Sequence, residues 1–458
     1  MKHAAILFAL AWPALTGCEG RITDSDPLPP SANVALRQEI TRWGIVPMGP
    51  MPTQNPAQVA LGRALFFDKI LSGNRDVACA TCHQPTSSLG DGLSLAIGTG
   101  ATGEGSSRSP GHDRTFVARH APSLLNSGLG MTYVFWDGRL NRFGPEPFPV
   151  EPGLRDQKLT VLPTSSSNVL IAQALLPVLS RSEMRGAIGD RDVFGKTNEL
   201  ALFDDDQPRQ VWEAVMQRLL AIPEYVELFR AAFPGTPASA LTFEHAARAL
   251  ATFLMEAFTK THSPFDRFLD RDDTALSAEQ RQGAQLFFGK AQCSSCHNGP
   301  FLGGQGFANV GAPQIGPGGT REAPLDLGRG ELHNNEFYRF AFRVAPLRNV
   351  ELTAPYMHSG AYASLEAVVN HYNNVPLALR TFEVSQLAPA LRSQHHGDAR
   401  TINAVLANLD GRLRAPLDLN AEEKRALVGF LRSLTDPAAK DLAGVAPIRV
   451  PSGLPVRP

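Results

Sequence analysis

Two five-residue segments carry the strongest chemical signal in the chain. Cys79-Ala80-Thr81-Cys82-His83 and Cys293-Ser294-Ser295-Cys296-His297 both read Cys-x-x-Cys-His. Two thiols at this spacing can form thioethers to the vinyl groups of a haem, and the adjacent imidazole is then held beneath the porphyrin as an iron ligand. A single match is moderate evidence, and a second in the same chain makes it strong. A four-cysteine zinc site would leave the repeated histidine without a role. Two disulfides inside such short loops would be strained and redox-active, and thioredoxin-like motifs require strand–helix–strand surroundings that this sequence does not show. The motifs use four of the five cysteines.

The segments that must hold these groups are themselves repeated. Residues 61–83 (LGRALFFDKILSGNRDVACATCH) and 282–297 (QGAQLFFGKAQCSSCH) share a glycine, a short amphipathic stretch ending in a phenylalanine pair, a turn, and the haem-attachment motif. Two related modules fused in one chain follow from that repeat. Phe243, Ala246, Ala247, Leu250, Phe253, Leu254, Ala257 and Phe258 fall on one face of a helix of about five turns. Ser277 with Gln280, and Asn420 with Glu423, read as capping boxes opening further amphipathic helices, the second carrying Leu427, Phe430, Leu431 and Leu434. No succession of alternating strands is visible. Gly98–Gly111, Phe143–Pro163 and Leu302–Pro324 are Gly/Pro-rich loops, so the expected architecture is mostly α with long loops.

Across 458 residues, 43% hydrophobic and 19% charged content exclude an extended disordered chain, and 43 basic against 44 acidic side chains exclude a strongly basic nucleic-acid binder. The N-terminus, MKHAAILFALAWPALTGC, combines an early Lys2, an apolar run from Ala4 to Leu15 and small residues before Cys18, the pattern of an export signal. That run is shorter than the roughly 20 apolar residues a bilayer-spanning helix needs. Leu15-Thr16-Gly17-Cys18 resembles a bacterial lipobox, in which the cysteine is acylated after cleavage, so residues 1–17 are expected to be a lipoprotein signal and Cys18 a lipid anchor.

Together with both haem motifs, an ordered series of segments resembles the bacterial di-haem cytochrome c peroxidase family, including its MauG branch. The series comprises Ala121-Pro122-Ser123-Leu124-Leu125-Asn126, Phe135-Trp136-Asp137-Gly138-Arg139, and Gln173-Ala174-Leu175 with Glu183-Met184. Leu347-Arg348-Asn349 and Thr353-Ala354-Pro355-Tyr356-Met357-His358-Ser359-Gly360 complete it. The resemblance, running from about Val59 to Thr435, implies two covalent c-type haems in two cytochrome-c-like domains. His83 would be the proximal ligand of a peroxide-reactive first haem and His297 that of an electron-relaying second haem. It further implies Trp136 between the haems, Gln173 and Glu183 in the distal pocket, and His358 as a pocket histidine. A carboxylate over the iron can take a proton from one peroxide oxygen and return it to the leaving one.

Three positions depart from the ordinary peroxidases. Where many carry a histidine that blocks the resting first haem, this chain reads Ile97-Gly98-Thr99-Gly100, so an open first iron is expected, with His112 or His120 as the substitutes to exclude. Fourteen residues after His358, at the position of a methionine ligand, stands Tyr372, as in the MauG branch. A phenolate favours oxidised iron and a thioether reduced iron; His371 and Met357 are the neighbouring alternatives. The family's interdomain calcium would use the carbonyls of Thr353 and Pro355, but His120 replaces its asparagine ligand, and calcium prefers oxygen.

The expected organisation is a signal (1–17), a tether and irregular arm without chemistry (18–56), an N-terminal peroxidatic haem domain (57–270), a C-terminal electron-transfer haem domain (271–437) and a Pro-rich tail (438–458). The function implied is a periplasmic, lipid-anchored di-haem peroxidase reducing hydrogen peroxide with electrons from a small cytochrome or cupredoxin. One alternative is a MauG-like enzyme that oxidises Trp or Tyr side chains of a partner protein through shared high-valent haems. The other is a non-enzymatic electron carrier.

Overall fold

The computed structural model describes residues 30–49, 51–142, 169–319, 321–333 and 335–456. The signal, Cys18 and the whole Phe143–Pro163 loop lie outside them. Among the described residues the only strands are two short antiparallel pairs, Tyr133–Val134 with Leu140–Asn141 and Phe307–Ala308 with Phe342–Arg343. The rest is helix and loop, as the periodicity predicts. No helix among the described residues is long and apolar enough to cross a membrane.

Two helix pairs form the frame, and they repeat the same construction. The Pro56–Phe67 helix opens on Asn55, whose side chain accepts from the Ala57 and Gln58 amides, and it packs against the Phe243–Phe258 helix. The Ala278–Phe288 helix opens on the Ser277–Gln280 capping box and packs against the Ala421–Ser433 helix, opened by Asn420–Glu423. The phenylalanine pairs meet edge to face in both, with centroids 5.2 Å apart for Phe66–Phe67 and 5.1 Å for Phe287–Phe288. Phe253 sits 5.4 Å from Phe66, and Phe430 5.2 Å from Phe287.

The repeated glycine is explained by these crossings. A Cβ on Gly62 would overlap the Ala249 carbonyl oxygen, and one on Gly283 would overlap that of Ala426. Only a missing side chain lets the helices approach this closely. Gly283→Ala is therefore expected to destabilise the second module by about 1–3 kcal/mol, measurable as a lower denaturation midpoint of the haem-loaded protein. A midpoint matching the parent would mean that the helices separate without penalty.

The two apolar cores divide earlier than residue 270. Phe258 belongs to the first cluster, whereas Phe265 and Phe268 belong to the second with Phe287 and Phe430. The Ser263–Asp266 capping box starts the Pro264–Leu269 helix that carries them. The arm expected to be irregular is corrected, and the Pro-rich tail is packed. Pro30–Arg42 is a helix whose Leu36 and Ile40, with Ile45 beyond it, enter the second core, and the Trp43 carbonyl accepts from the Gly299 amide at 2.9 Å. Conversely, Leu442, Val450 and Leu454 of the tail enter the first core. Ser452 Oγ donates to Asp68 at 2.6 Å, and Arg63 Nε donates to the Val445 carbonyl at 2.7 Å. Each end of the described chain thus straps the module farther from it in sequence.

Candidate functional site

Both Cys-x-x-Cys-His segments turn onto cavities, and the histidines are held identically. His83 Nδ1 lies 3.0 Å from the Leu89 carbonyl, and His297 Nδ1 3.0 Å from the Leu302 carbonyl. Both leucines have left-handed backbone, φ 65° and 53°, which turns their carbonyls back onto the rings. A ring whose Nδ1–H is spent on a carbonyl presents Nε2 as a ligand. Burial keeps both imidazoles neutral, lowering His83 and bringing His297 down to about 4. The four motif cysteines form no disulfide, and burial pushes the Cys79, Cys82 and Cys293 thiols up to about 12.

Cys79, His83, Gln173 and Met184 line the smaller cavity; Cys293, Cys296, His297, Tyr372, Trp136 and His358 line the larger. The larger one also holds Arg343 and Arg348. Arg343 is buried, which lowers it to about 10 against the opposing pull of Asp137. Arg348 donates to the Pro300 carbonyl and to Asp266, leaving its buried Nη2 without a partner among the described residues. Paired thiols, a neutral histidine and buried cations facing apolar walls fit a covalently attached haem with its carboxylates.

Glu183 sits in a π-helical turn, Arg181–Arg185, whose Met184 lines the smaller cavity, while Glu183 itself is not among the residues lining it. Its carboxylate accepts no hydrogen bond among the described residues, and its charge acts on Cys82. Burial raises its pKa, and Arg139 opposes that shift. Gln173 comes from the short Val169–Ala174 helix and lines the same cavity. Thr99 does not face the cavity as a ligand would: its hydroxyl donates to Asp76 at 2.7 Å. Neither substitute histidine covers the first site. His112 is exposed beside Asp113, and His120 lines the larger cavity with Nδ1 at 2.8 Å from the Leu93 carbonyl.

The segment from His120 to Leu125 forms the wall between the cavities, with Leu124 facing the smaller and Leu125 the larger. Trp136 is pinned to this wall: its indole N–H donates to the His120 carbonyl at 2.8 Å, and its own carbonyl accepts from the Arg343 amide at 2.7 Å. His358 stacks on Phe342 at 3.5 Å, and its carbonyl accepts from the His120 amide. Burial lowers the His358 imidazole to about 4. A chain of ion pairs crosses behind the wall, from Arg139 to Asp137 at 2.9 Å, Asp137 to Arg119 at 2.5 Å and Arg119 to Asp326 at 2.6 Å. Thr353 and Pro355 also line the larger cavity, while the His120 ring, already tied to Leu93, offers no oxygen to a cation.

The neighbours of Tyr372 differ in availability. His371 spends both nitrogens, Nδ1 on the Tyr362 hydroxyl and Nε2 on the Val310 carbonyl, each at 2.8 Å. Tyr372 has no hydrogen-bond partner among the described residues and lines the larger cavity, as Met357 does. Burial holds its phenol well above the usual range, so it needs a strong cation to ionise. Sequence reasoning missed Asp76, Arg343 and the two leucines whose carbonyls accept from the histidines, and it named Arg139 only as part of a motif, without a role. Arg139 left its trace in the Phe135–Arg139 segment, and the leucines left theirs by standing six and five residues after their histidines.

Residues 56–274 match the family described as di-haem cytochrome c peroxidase. Over 357 residues the chain is 32% identical to the cytochrome c551 peroxidase of Pseudomonas aeruginosa, covering 78% of this chain and 79% of that one. It is 29% identical over 429 residues to the methylamine utilization protein MauG of Methylorubrum extorquens, covering 93% and 92%. Among solved structures, a MauG-like protein associated with microbial copper homeostasis shares the fold at a TM-score of 0.57 and 24% identity, over 86% of this chain and 94% of that one.

Proposed function

Because the chain belongs to the di-haem cytochrome c peroxidase family and therefore carries two covalent c-type haems, we propose that it reduces hydrogen peroxide to water at the His83 site. Two electrons and two protons convert one peroxide into two waters. The electrons come from a small donor protein, a cytochrome c or a cupredoxin. When bound, the first haem supplies an iron at which peroxide is reduced, and the second supplies a store for the oxidising equivalents. The observation that supports this reading is the half-buried Glu183 carboxylate, without a hydrogen-bond partner among the described residues, next in sequence to Met184 in the wall of the cavity that holds His83 and Gln173.

Glu183 takes the proton from the near oxygen of peroxide and delivers it to the departing one. The Gln173 amide, free of side-chain hydrogen bonds among the described residues, orients the bound peroxide. Trp136, fixed in the wall between the cavities, carries oxidising equivalents toward the His297 site. Export and lipidation at Cys18 would place this chemistry in the periplasm at a membrane surface.

A MauG-like role, oxidation of Trp or Tyr side chains in a partner protein, is the second reading. It is favoured by Tyr372 being available in the larger cavity while His371 is engaged at both nitrogens. Electron paramagnetic resonance of the resting ferric protein tests the enzymatic reading against a pure electron carrier. One high-spin and one low-spin signal are expected, with the high-spin signal consumed by stoichiometric peroxide. Two low-spin signals indifferent to peroxide would sink it. Reduced cytochrome or cupredoxin restoring the resting spectrum in repeated turnovers separates the peroxidase from the MauG-like reading.

A further inference from the structure

The Glu183 turn ends abruptly, and its last three carbonyls are satisfied by other segments. A helical turn that stops leaves its C-terminal carbonyls without intrahelical donors. Here the Met184 carbonyl accepts from the Gly73 amide at 2.7 Å, and the Arg185 carbonyl from Asn198 Nδ2 at 2.8 Å. The Glu183 carbonyl accepts from the Thr99 amide at 2.8 Å. The last bond holds the catalytic candidate itself, and the loop that supplies it is tied down on one flank by a carboxylate and on the other by a guanidinium.

Asp76 spends both oxygens on that loop. Oδ1 accepts from the Thr99 hydroxyl at 2.7 Å and Oδ2 from the Gly100 amide at 2.6 Å. On the other flank the buried Arg108 donates to the Gly98 carbonyl at 2.9 Å. Gly98 itself lies so close to the turn that a Cβ there would overlap the Ser182 carbonyl oxygen. Asp76 stands three residues before Cys79. Asp76 therefore connects the segment that would attach the first haem, through the Thr99 loop, to the turn that carries Glu183.

We propose that Asp76 and Thr99 are positioning residues that lock the Ile97–Gly100 loop against the Glu183 turn, so that the distal carboxylate is held in place permanently instead of being assembled by a loop movement. The inference rests on Glu183 being the acid–base group. The Thr99 hydroxyl, turned toward Asp76, serves the loop and leaves the cavity uncovered.

Thr99→Val removes the hydroxyl donor, Thr99→Ser keeps it, and Asp76→Asn sets an amide N–H or a weaker acceptor against the loop. In the haem-loaded protein, Thr99→Val and Asp76→Asn are expected to slow the reaction with peroxide about tenfold, the order that sub-ångström to ångström misplacement costs. Thr99→Ser should stay close to the parent. The resting high-spin signal and the spectrum of the second haem should not change. A readout independent of turnover is native-state amide exchange: the Thr99 and Gly100 amides should be protected in the parent and exchange faster in Asp76→Asn.

Rates within about twofold of the parent for Thr99→Val, a Thr99→Ser as slow as Thr99→Val, or unchanged amide exchange would each overturn the proposal. Glu183→Gln, run in parallel, separates the two readings. A slow Glu183→Gln beside a fast Thr99→Val overturns the positioning role alone, and a fast Glu183→Gln overturns the acid–base reading and this role with it. Should Asp76→Asn fail to load haem, the single-hydroxyl comparison of Thr99→Val with Thr99→Ser decides.

Discussion

Glu183→Gln is expected to lower the rate of the peroxide reaction by about 10²–10⁴-fold, the range that a positioned acid–base group contributes. The glutamine keeps the shape of the side chain and loses its ability to accept and return a proton. Haem loading and the resting spectra should therefore be those of the parent. The pH profile sharpens the test. Burial raises the Glu183 pKa from its ordinary value, with Arg139 opposing. The ionised form is the competent base, so the rate is full above that raised pKa and declines as pH falls through it. The acid limb thus begins at higher pH than for an exposed glutamate. Stopped-flow mixing with peroxide across pH should show this limb in the parent and lose it in Glu183→Gln. A parent profile lacking the limb, or a variant that retains it, would assign the limb to another group.

The second large effect is expected at Tyr372. With Tyr372 as the proposed ligand of the second haem, replacing it with methionine would exchange a group that favours oxidised iron for one that favours reduced iron. The reduction potential of the second haem should rise on the order of a few hundred mV, within the span that axial ligands set. The second haem would then stay reduced under conditions where the parent is ferric, and on the MauG-like reading the sharing of oxidising equivalents should fall. Tyr372→Phe should change the low-spin ferric signal without matching that gain in potential. If neither variant alters the optical or resonance spectra of the second site, Met357, which lines the same cavity, becomes the ligand to test. His371 does not, because both of its nitrogens are committed to Tyr362 and Val310.

Much of this site is legible in the order of residues because the chemistry is local. Cys79, Cys82 and His83 must be neighbours to meet one porphyrin, and so must Cys293, Cys296 and His297. The capping boxes at Ser277 and Asn420 are likewise local, since a cap satisfies amides only two or three residues away. The apolar stripe from Phe243 to Phe258 reports its buried face through the helical period alone. The arm and the tail were not legible in this way. Leu36 and Ile40, or Val450 and Leu454, have helical or irregular spacing that says nothing about which core receives them, and that choice depends on surfaces hundreds of residues away in the chain.

The sequence by itself determined the number of haems, the residues that attach them, the mostly helical modules and the absence of a histidine at Thr99. Each of these rests on covalent neighbours or on a period of a few residues. Only the tertiary structure decided that His371 is unavailable and that the Glu183 carboxylate is left without a hydrogen-bond partner among the described residues. It alone decided that Trp136 is fastened to the His120 carbonyl and that Asp76 ties the Thr99 loop to the glutamate turn. Those outcomes turn on hydrogen bonds between segments that the chain brings together only after its helices have packed, and no spacing along the sequence encodes which donor reaches which acceptor.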